Sequence, residues 1–296
     1  MKRLLSGAAI LALAAAIMAC VDMVELIDVP YDERFGEATL MDVFMPGESD
    51  GALAGERPAV LLIHGGSWRS LSKDGTRNDA IHLARAGYVT ASINYRLVPE
   101  AVFPENIQDV MCALAFFQAH ADEYGFDPGR VAVMGYSAGG HLASMLGVAS
   151  DLAEIQPDCM AGSPAPPRAV ISGAGPEDMR LLPEVDSVIE FLGGTAAEVP
   201  EHYDLASPIQ HVDAGEPAFL FVHGTGDLFV DIEHSRRMRD RLRDAGNSAL
   251  LLELADGGHL VEAGVSGGHA EFTISTSTPE AWLAIFDFLA GTLGAP

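Results

Sequence analysis

The sequence predicts an α/β fold, a mostly parallel central sheet with helices on both faces. Three observations predict it: short apolar runs recur along the chain, stretches with apolar residues at helical spacing separate them, and no repeat or low-complexity linker divides residues 20–296. Strands covered on both faces lose the polar alternation of a half-exposed strand, and the runs here are continuous. That continuity argues for parallel pairing.

After a β-rich opening, a strand is expected over 38–45, and others over 59–63, 89–93, 131–134, 169–171, 218–222 and 249–254. The clearest helix starts at Pro104-Glu105, because a proline suits a first turn whose N–H has no intrahelical partner. Ile107, Val110, Met111, Leu114 and Phe117 then share one face. Further helices are expected after Arg77, Ser137 and Asp231, and a last one over 279–293. Two proline-bearing stretches, 151–167 and 176–213, read as irregular; they flank the strand at 169–171 and are expected to form a partial lid. Trp68, Tyr136 and Met160 are candidate walls of the substrate pocket, and each is equally compatible with ordinary core.

Residues 1–19 stand apart. Lys2 and Arg3 precede an uncharged run over 4–19 that ends in small residues before Cys20, the layout of an export signal. The run falls short of the roughly 20 residues that a permanent membrane helix needs. Ile17-Met18-Ala19-Cys20 resembles a bacterial lipobox, which makes Cys20 the expected lipidation site of an envelope lipoprotein, although Ile17 and Met18 depart from the favoured residues. The alternative is an ordinary periplasmic or secreted protein, and membrane fractionation of a Cys20→Ser variant separates the two. Residues 20–296 are then expected to form one domain.

A net charge of −25 argues against nucleic acid or anionic lipid headgroups as partners, so membrane association is expected only through the N-terminal lipid. Besides Cys20 the chain holds Cys112 and Cys159; an oxidising compartment would permit a disulfide between them, but the sequence does not require one.

The chemistry starts at Gly135-Tyr136-Ser137-Ala138-Gly139, directly after the apolar run at 131–134. A small residue on each side of a serine permits the sharp strand-to-helix turn that lifts a hydroxyl above a sheet edge, so Ser137 is the expected nucleophile. In parallel sheets the chemistry gathers at the carboxyl ends of the strands. After the strand at 59–63 stands His64-Gly65-Gly66-Ser67-Trp68, whose glycines let backbone N–H groups of Gly65 and Gly66 join that of Ala138 around an oxyanion. After the strand at 218–222 stands His223-Gly224-Thr225-Gly226-Asp227, and after that at 249–254 stands Gly257-Gly258-His259. The order Ser137, Asp227, His259 fits nucleophile, orienting acid and base.

Rivals exist for both partners. Asp231 and Glu233 belong to the start of the next helix, and Asp178 follows a strand one position too early. His269 lies in a Gly/Ser/Thr-rich stretch and reads as a loop residue, while His141 sits on the helix after Ser137 and reads as packing. Neither clustered metal-ligand spacing nor a dinucleotide fingerprint is present, so no metal or other cofactor is expected.

With these residues placed, the chain resembles the α/β-hydrolase superfamily, and within it bacterial esterases of the hormone-sensitive-lipase-like and feruloyl-esterase-like groups. The resemblance covers nearly all of 40–293 and includes Asn94-Tyr95-Arg96-Leu97, Phe103-Pro104 and Ser207-Pro208-Ile209. One departure stands out: Ser67 occupies the third position of a glycine loop where the lipase-like group has glycine, and Ser67-Trp68 looks more like the feruloyl-esterase-like group. The resemblance implies hydrolysis of a small carboxylic ester through an acyl-enzyme. An exopeptidase or amidase on the same triad is the enzymatic alternative, and a non-catalytic binding protein on a hydrolase scaffold is the other; assays of esters against aryl amides, with a Ser137→Ala control, discriminate among the three.

Overall fold

The computed structural model describes residues 23–47, 57–255, 257–259 and 279–296. The expected signal peptide, Cys20 and His269 lie outside these residues. Eight strands form one sheet: β1 (Met23–Pro30), β2 (Leu40–Pro46), β3 (Arg57–Ile63), β4 (Val89–Ile93), β5 (Phe126–Tyr136), β6 (Ala169–Gly173), β7 (Ala218–Gly224) and β8 (Ala249–Leu254). Their order is β1-β2-β4-β3-β5-β6-β7-β8, antiparallel from β1 to β4 and parallel from β4 to β8. Sequence reading missed β1. This edge strand, Met-Val-Glu-Leu-Ile-Asp-Val-Pro, is largely exposed along its length, so it has neither the continuous run of a buried strand nor a clean alternation.

Eight α-helices are described: α1 (Arg77–Arg85), α2 (Glu105–Ala119), α3 (Ala121–Tyr124), α4 (Ala138–Val148), α5 (Asp186–Leu192), α6 (Pro200–Leu205), α7 (Glu233–Asp244) and α8 (Pro279–Leu293). Side chains alternate across the central strands and so build two cores. Val60, Leu62, Ala132, Met134 and Ile171 face Leu83 of α1 and Ile285, Phe288 and Leu289 of α8. Leu61, Val133, Val170 and Phe219 face Ile107, Leu114 and Phe117 of α2, Leu142 and Met145 of α4, and Met238 of α7. Every residue of β3, β4 and β6 is buried, which explains the apolar runs at 59–63 and 169–171; in β4 the buried Thr90 and Ser92 alternate with apolar residues.

The two irregular stretches divide. Among 151–167 only a 3₁₀ turn, Ala153–Ile155, interrupts the loop, and Cys159 within it is disulfide-bonded to Cys112 of α2. The expectation of irregularity fails for 176–213, which contains α5 and α6. Both helices are too short for a periodic apolar pattern to stand out, and Pro200 at the start of α6 is a helix-compatible first-turn residue, not a breaker.

Glu177 marks where this region is pinned to the sheet. Its carboxylate is fully buried; Oε1 accepts from Ser144 of α4 at 3.0 Å and Ser172 of β6 at 2.7 Å. Burial pushes the carboxyl up to about 8, and the two hydroxyl hydrogen bonds offset only part of that rise. The folded protein therefore favours the neutral acid. Its contribution to stability is complete below about pH 4.5 and is lost as pH rises through about 8, a change of up to about 4 kcal/mol. Glu177→Gln keeps an oxygen for both hydroxyls and cannot ionise, so its melting temperature relative to wild type should climb by roughly 5 °C between pH 5 and pH 8. A difference independent of pH in paired thermal melts would refute the buried acid as its source.

Candidate active site

Ser137 stands between β5 and α4 with φ 52° and ψ −121°, a conformation that non-glycine residues seldom adopt. Two backbone hydrogen bonds hold it there: its N–H donates to Gly173 O at 2.8 Å, and its carbonyl accepts from His141 N at 3.0 Å. The flanking glycines are sterically required. A Cβ on Gly135 would lie 2.3 Å from Gly139 O, and one on Gly139 would lie 2.1 Å from Ile63 O. The same strand–helix contact leaves the Ser137 side chain at the carboxyl edge of the sheet, 9% exposed.

The loop after β3 packs directly on this turn. A Cβ on Gly65 would sit 2.8 Å from Tyr136 O and 3.4 Å from Ser137 Cβ. Gly66 turns with φ 100°, its carbonyl accepting from the N–H groups of Arg69 and Ser70 at 3.1 Å. Ser67 and Trp68 follow with φ 55° and 57°, so the position where the lipase-like pattern has glycine keeps the left-handed backbone without one. Asn94-Tyr95-Arg96-Leu97 braces the loop from below: Tyr95 Oη donates to His64 O at 3.2 Å, and Arg96 is fixed by paired hydrogen bonds to Asp109.

Asp227 and His259 come together because their loops are joined backbone to backbone. Thr225 N donates to Leu254 O at 2.9 Å and Gly226 N to Gly257 O at 2.8 Å, and a Cβ on Gly224 would lie 2.2 Å from Gly257 O. His259 Nδ1 donates to Asp227 Oδ2 at 2.7 Å, and Nε2 lies 2.9 Å from Ser137 Oγ. The three side chains chosen from sequence form one hydrogen-bonded chain. Asp227 Oδ1 accepts from the N–H groups of Phe229 and Val230, and Oδ2 accepts a second imidazole bond, from His223 Nε2 at 3.1 Å. Burial alone would raise this carboxyl; the hydrogen bonds from His223, His259 and Val230 overcome burial and hold it well below the ordinary carboxylate range.

The rivals are occupied elsewhere. Asp231 accepts from Glu233 N at the start of α7, Glu233 pairs with Arg236, and Asp178 binds Arg180. His141 is buried with Nε2 on Ala206 O. The two aromatic pocket candidates need correction. Trp68 is 3% exposed, stacked on Phe191 at 4.3 Å and edge-on to His141, and Tyr136 is 6% exposed with its ring against Gly173; interior packing accounts for both. Met160 is 76% exposed on its loop. Sequence reading missed His223 as a partner of Asp227, although its spacing of four from the acid was visible. Leu228 and Phe229 are also exposed, and the Phe229 ring lies 5.5 Å from that of His259.

A family model, BD-FAE, matches residues 41–242. The chain belongs to the BD-FAE family. Among curated relatives of this BD-FAE chain, the probable carboxylic ester hydrolase LipM of Mycobacterium tuberculosis (strain ATCC 25618 / H37Rv) is 32% identical over 76% of this chain and 53% of its own. Esterase LipC of the same organism is 34% identical over 68% and 52%. The chain thus spans about half the length of the curated relatives it matches. Among solved structures, a truncated carbohydrate esterase from gut microbiota superposes with a TM-score of 0.73 at 25% identity, covering 91% of this chain and 96% of that one. Thermogutta terrifontis esterase 2 phosphorylated by paraoxon shares the fold with a TM-score of 0.71 at 22% identity, covering 91% and 94%. The fold is that of α/β-hydrolases.

The glycine contacts at the turn carry a direct test. Gly139→Ala places a Cβ among the Ile63 and His64 carbonyls and should destabilise the protein by on the order of 3 kcal/mol, read by denaturant titration. Gly291→Ala on α8 meets nothing within 4 Å and serves as the control, with stability unchanged or raised by up to about 1 kcal/mol.

Proposed function

We propose that this BD-FAE protein is a serine esterase that cleaves short-chain carboxylic esters through an acyl-enzyme. The observation that carries the reading is the continuous chain from Ser137 Oγ through His259 to a buried, ionised Asp227. The names of LipM, LipC and the gut-microbiota carbohydrate esterase support it.

In this mechanism His259 Nε2 accepts the Ser137 proton as Oγ attacks the ester carbonyl, and Asp227 keeps the hydrogen of the neutral ring on Nδ1. Negative charge then builds on the former carbonyl oxygen. Ala138 opens α4, where the first N–H groups lack intrahelical partners, and Gly65, followed by Gly66, lies against the Ser137 turn; the N–H groups of Ala138, Gly65 and Gly66 supply the oxyanion site in this reading. His259 returns the proton to the leaving alcohol, and water repeats the cycle on the acyl-enzyme. Export to an oxidising compartment is part of the same proposal and is supported by the Cys112–Cys159 disulfide; Cys20 as lipid anchor rests on its lipobox-like sequence alone.

Ser137→Ala, His259→Ala and Asp227→Asn should each lower hydrolysis of p-nitrophenyl acetate by roughly three orders of magnitude or more with circular dichroism unchanged. Wild-type activity in any of the three would remove that residue from the mechanism. For chain length, the strongly acidic composition disfavours work at a lipid surface. kcat/KM should therefore be higher for acyl chains from acetyl to about hexanoyl than for chains of about twelve carbons, measured below the solubility limit. An optimum at dodecanoyl would replace the esterase reading with a lipase one.

A further inference from the structure

We infer that His223 is a positioning residue for the site: its imidazole donates a second hydrogen bond to Asp227 Oδ2 and fixes how that carboxylate faces His259. The inference rests on the triad reading proposed above and concerns a residue that this reading does not use.

The side chains of His223 and Asp227 are both completely buried. His223 Nε2 lies 3.1 Å from Asp227 Oδ2 and 2.9 Å from Val230 O, and both of those atoms can only accept. Nε2 therefore carries the hydrogen. Nδ1 lies 2.8 Å from the hydroxyl of Ser235, a buried residue of α7, which is placed to donate to it once Nε2 carries the ring hydrogen. Ser235 thus matches the His223 tautomer that Asp227 and Val230 select. The result is a relay of five side chains, Ser137, His259, Asp227, His223 and Ser235, that runs from the sheet edge to helix α7.

Two donors meet each oxygen of Asp227: Phe229 and Val230 N–H on Oδ1, His259 and His223 on Oδ2. The backbone pair alone leaves Oδ2 free to swing, and the His223 bond removes that freedom. Other groups facing His223 do not duplicate this role: Glu253 of β8 is engaged by Arg236, and His234 of α7 accepts the N–H groups of Glu177 and Asp178.

The test compares His223→Phe, which keeps a ring but no donor, with His223→Gln, whose amide nitrogen reaches the place of Nε2, in the purified full chain with p-nitrophenyl acetate. His223→Phe should lower kcat by roughly 10- to 100-fold with KM changed less than about threefold. His223→Gln should recover most of kcat. Equal activity of the Phe and Gln variants overturns the inference. If His223→Phe does not fold, Ser235→Ala decides: a several-fold loss of kcat supports the relay, and wild-type kcat overturns it. Ser137→Ala run alongside separates the two levels. If that variant keeps activity, the triad reading fails; if it is dead while His223→Phe matches wild type in kcat, only the positioning role fails.

Discussion

The close approach of the Gly139 backbone to the end of β3 is the constraint on which the site depends. With a would-be Cβ only 2.1 Å from Ile63 O, α4 can seat against β3 and β5 only if residue 139 has no side chain. Seating it there forces the chain to reverse within one residue, and Ser137 takes the φ of 52° that results. Such a conformation costs on the order of 1–2 kcal/mol for a residue with a Cβ. The bonds from Ser137 N to Gly173 O and from His141 N to Ser137 O hold it, so the hydroxyl is presented by backbone packing before any other site residue is considered. The same tightness brings Gly65 against Tyr136 O, which couples the loop after β3 to the turn at Ser137 through backbone packing.

On the other side of the site, backbone pairing between loops does comparable work. The bonds from Thr225 and Gly226 to Leu254 and Gly257 make the ends of β7 and β8 one unit, so Asp227 and His259 are held by the same backbone frame. Within that unit, burial opposes the charge on Asp227, and four hydrogen-bond donors outweigh it. Asp178 and Asp231 meet donors as well, but those donors are Arg180 and the first turn of α7, which direct the carboxylates away from a histidine partner.

The sequence made much of this legible for identifiable reasons. Strands β3, β6 and β7 are buried enough to appear as apolar runs, and the glycines at 135 and 139 mark a steric demand that no other residue meets. The exposed edge strand β1 carries no such pattern, and α5 and α6 are shorter than the window in which helical periodicity becomes visible. Trp68 and Tyr136 lie beside the glycine-rich segments at 64–67 and 135–139, yet adjacency in sequence does not say which way a side chain points. Trp68 turns inward onto Phe191, a residue of a helix that the sequence did not announce. His223 was quoted as part of a motif, but its role depends on Ser235 and Val230, contacts that only the folded loop creates.

The histidines show most clearly what the fold adds. His64, His141 and His234 all lie near the carboxyl end of the sheet, and composition alone cannot rank them against His259 as a base. Burial pushes each of the three down to about 4, and each is tied to the backbone: His64 to Gly65 O, His141 to Ala206 O, His234 to the N–H groups of Glu177 and Asp178. A ring that stays neutral because it is dry, and whose nitrogens serve packing, is a poor proton acceptor at neutral pH. His259 differs in being partly exposed, with one nitrogen on a carboxylate and the other on a serine hydroxyl. His259 is thus set apart less by being a histidine at the right place in the chain than by being the one whose second nitrogen faces Ser137.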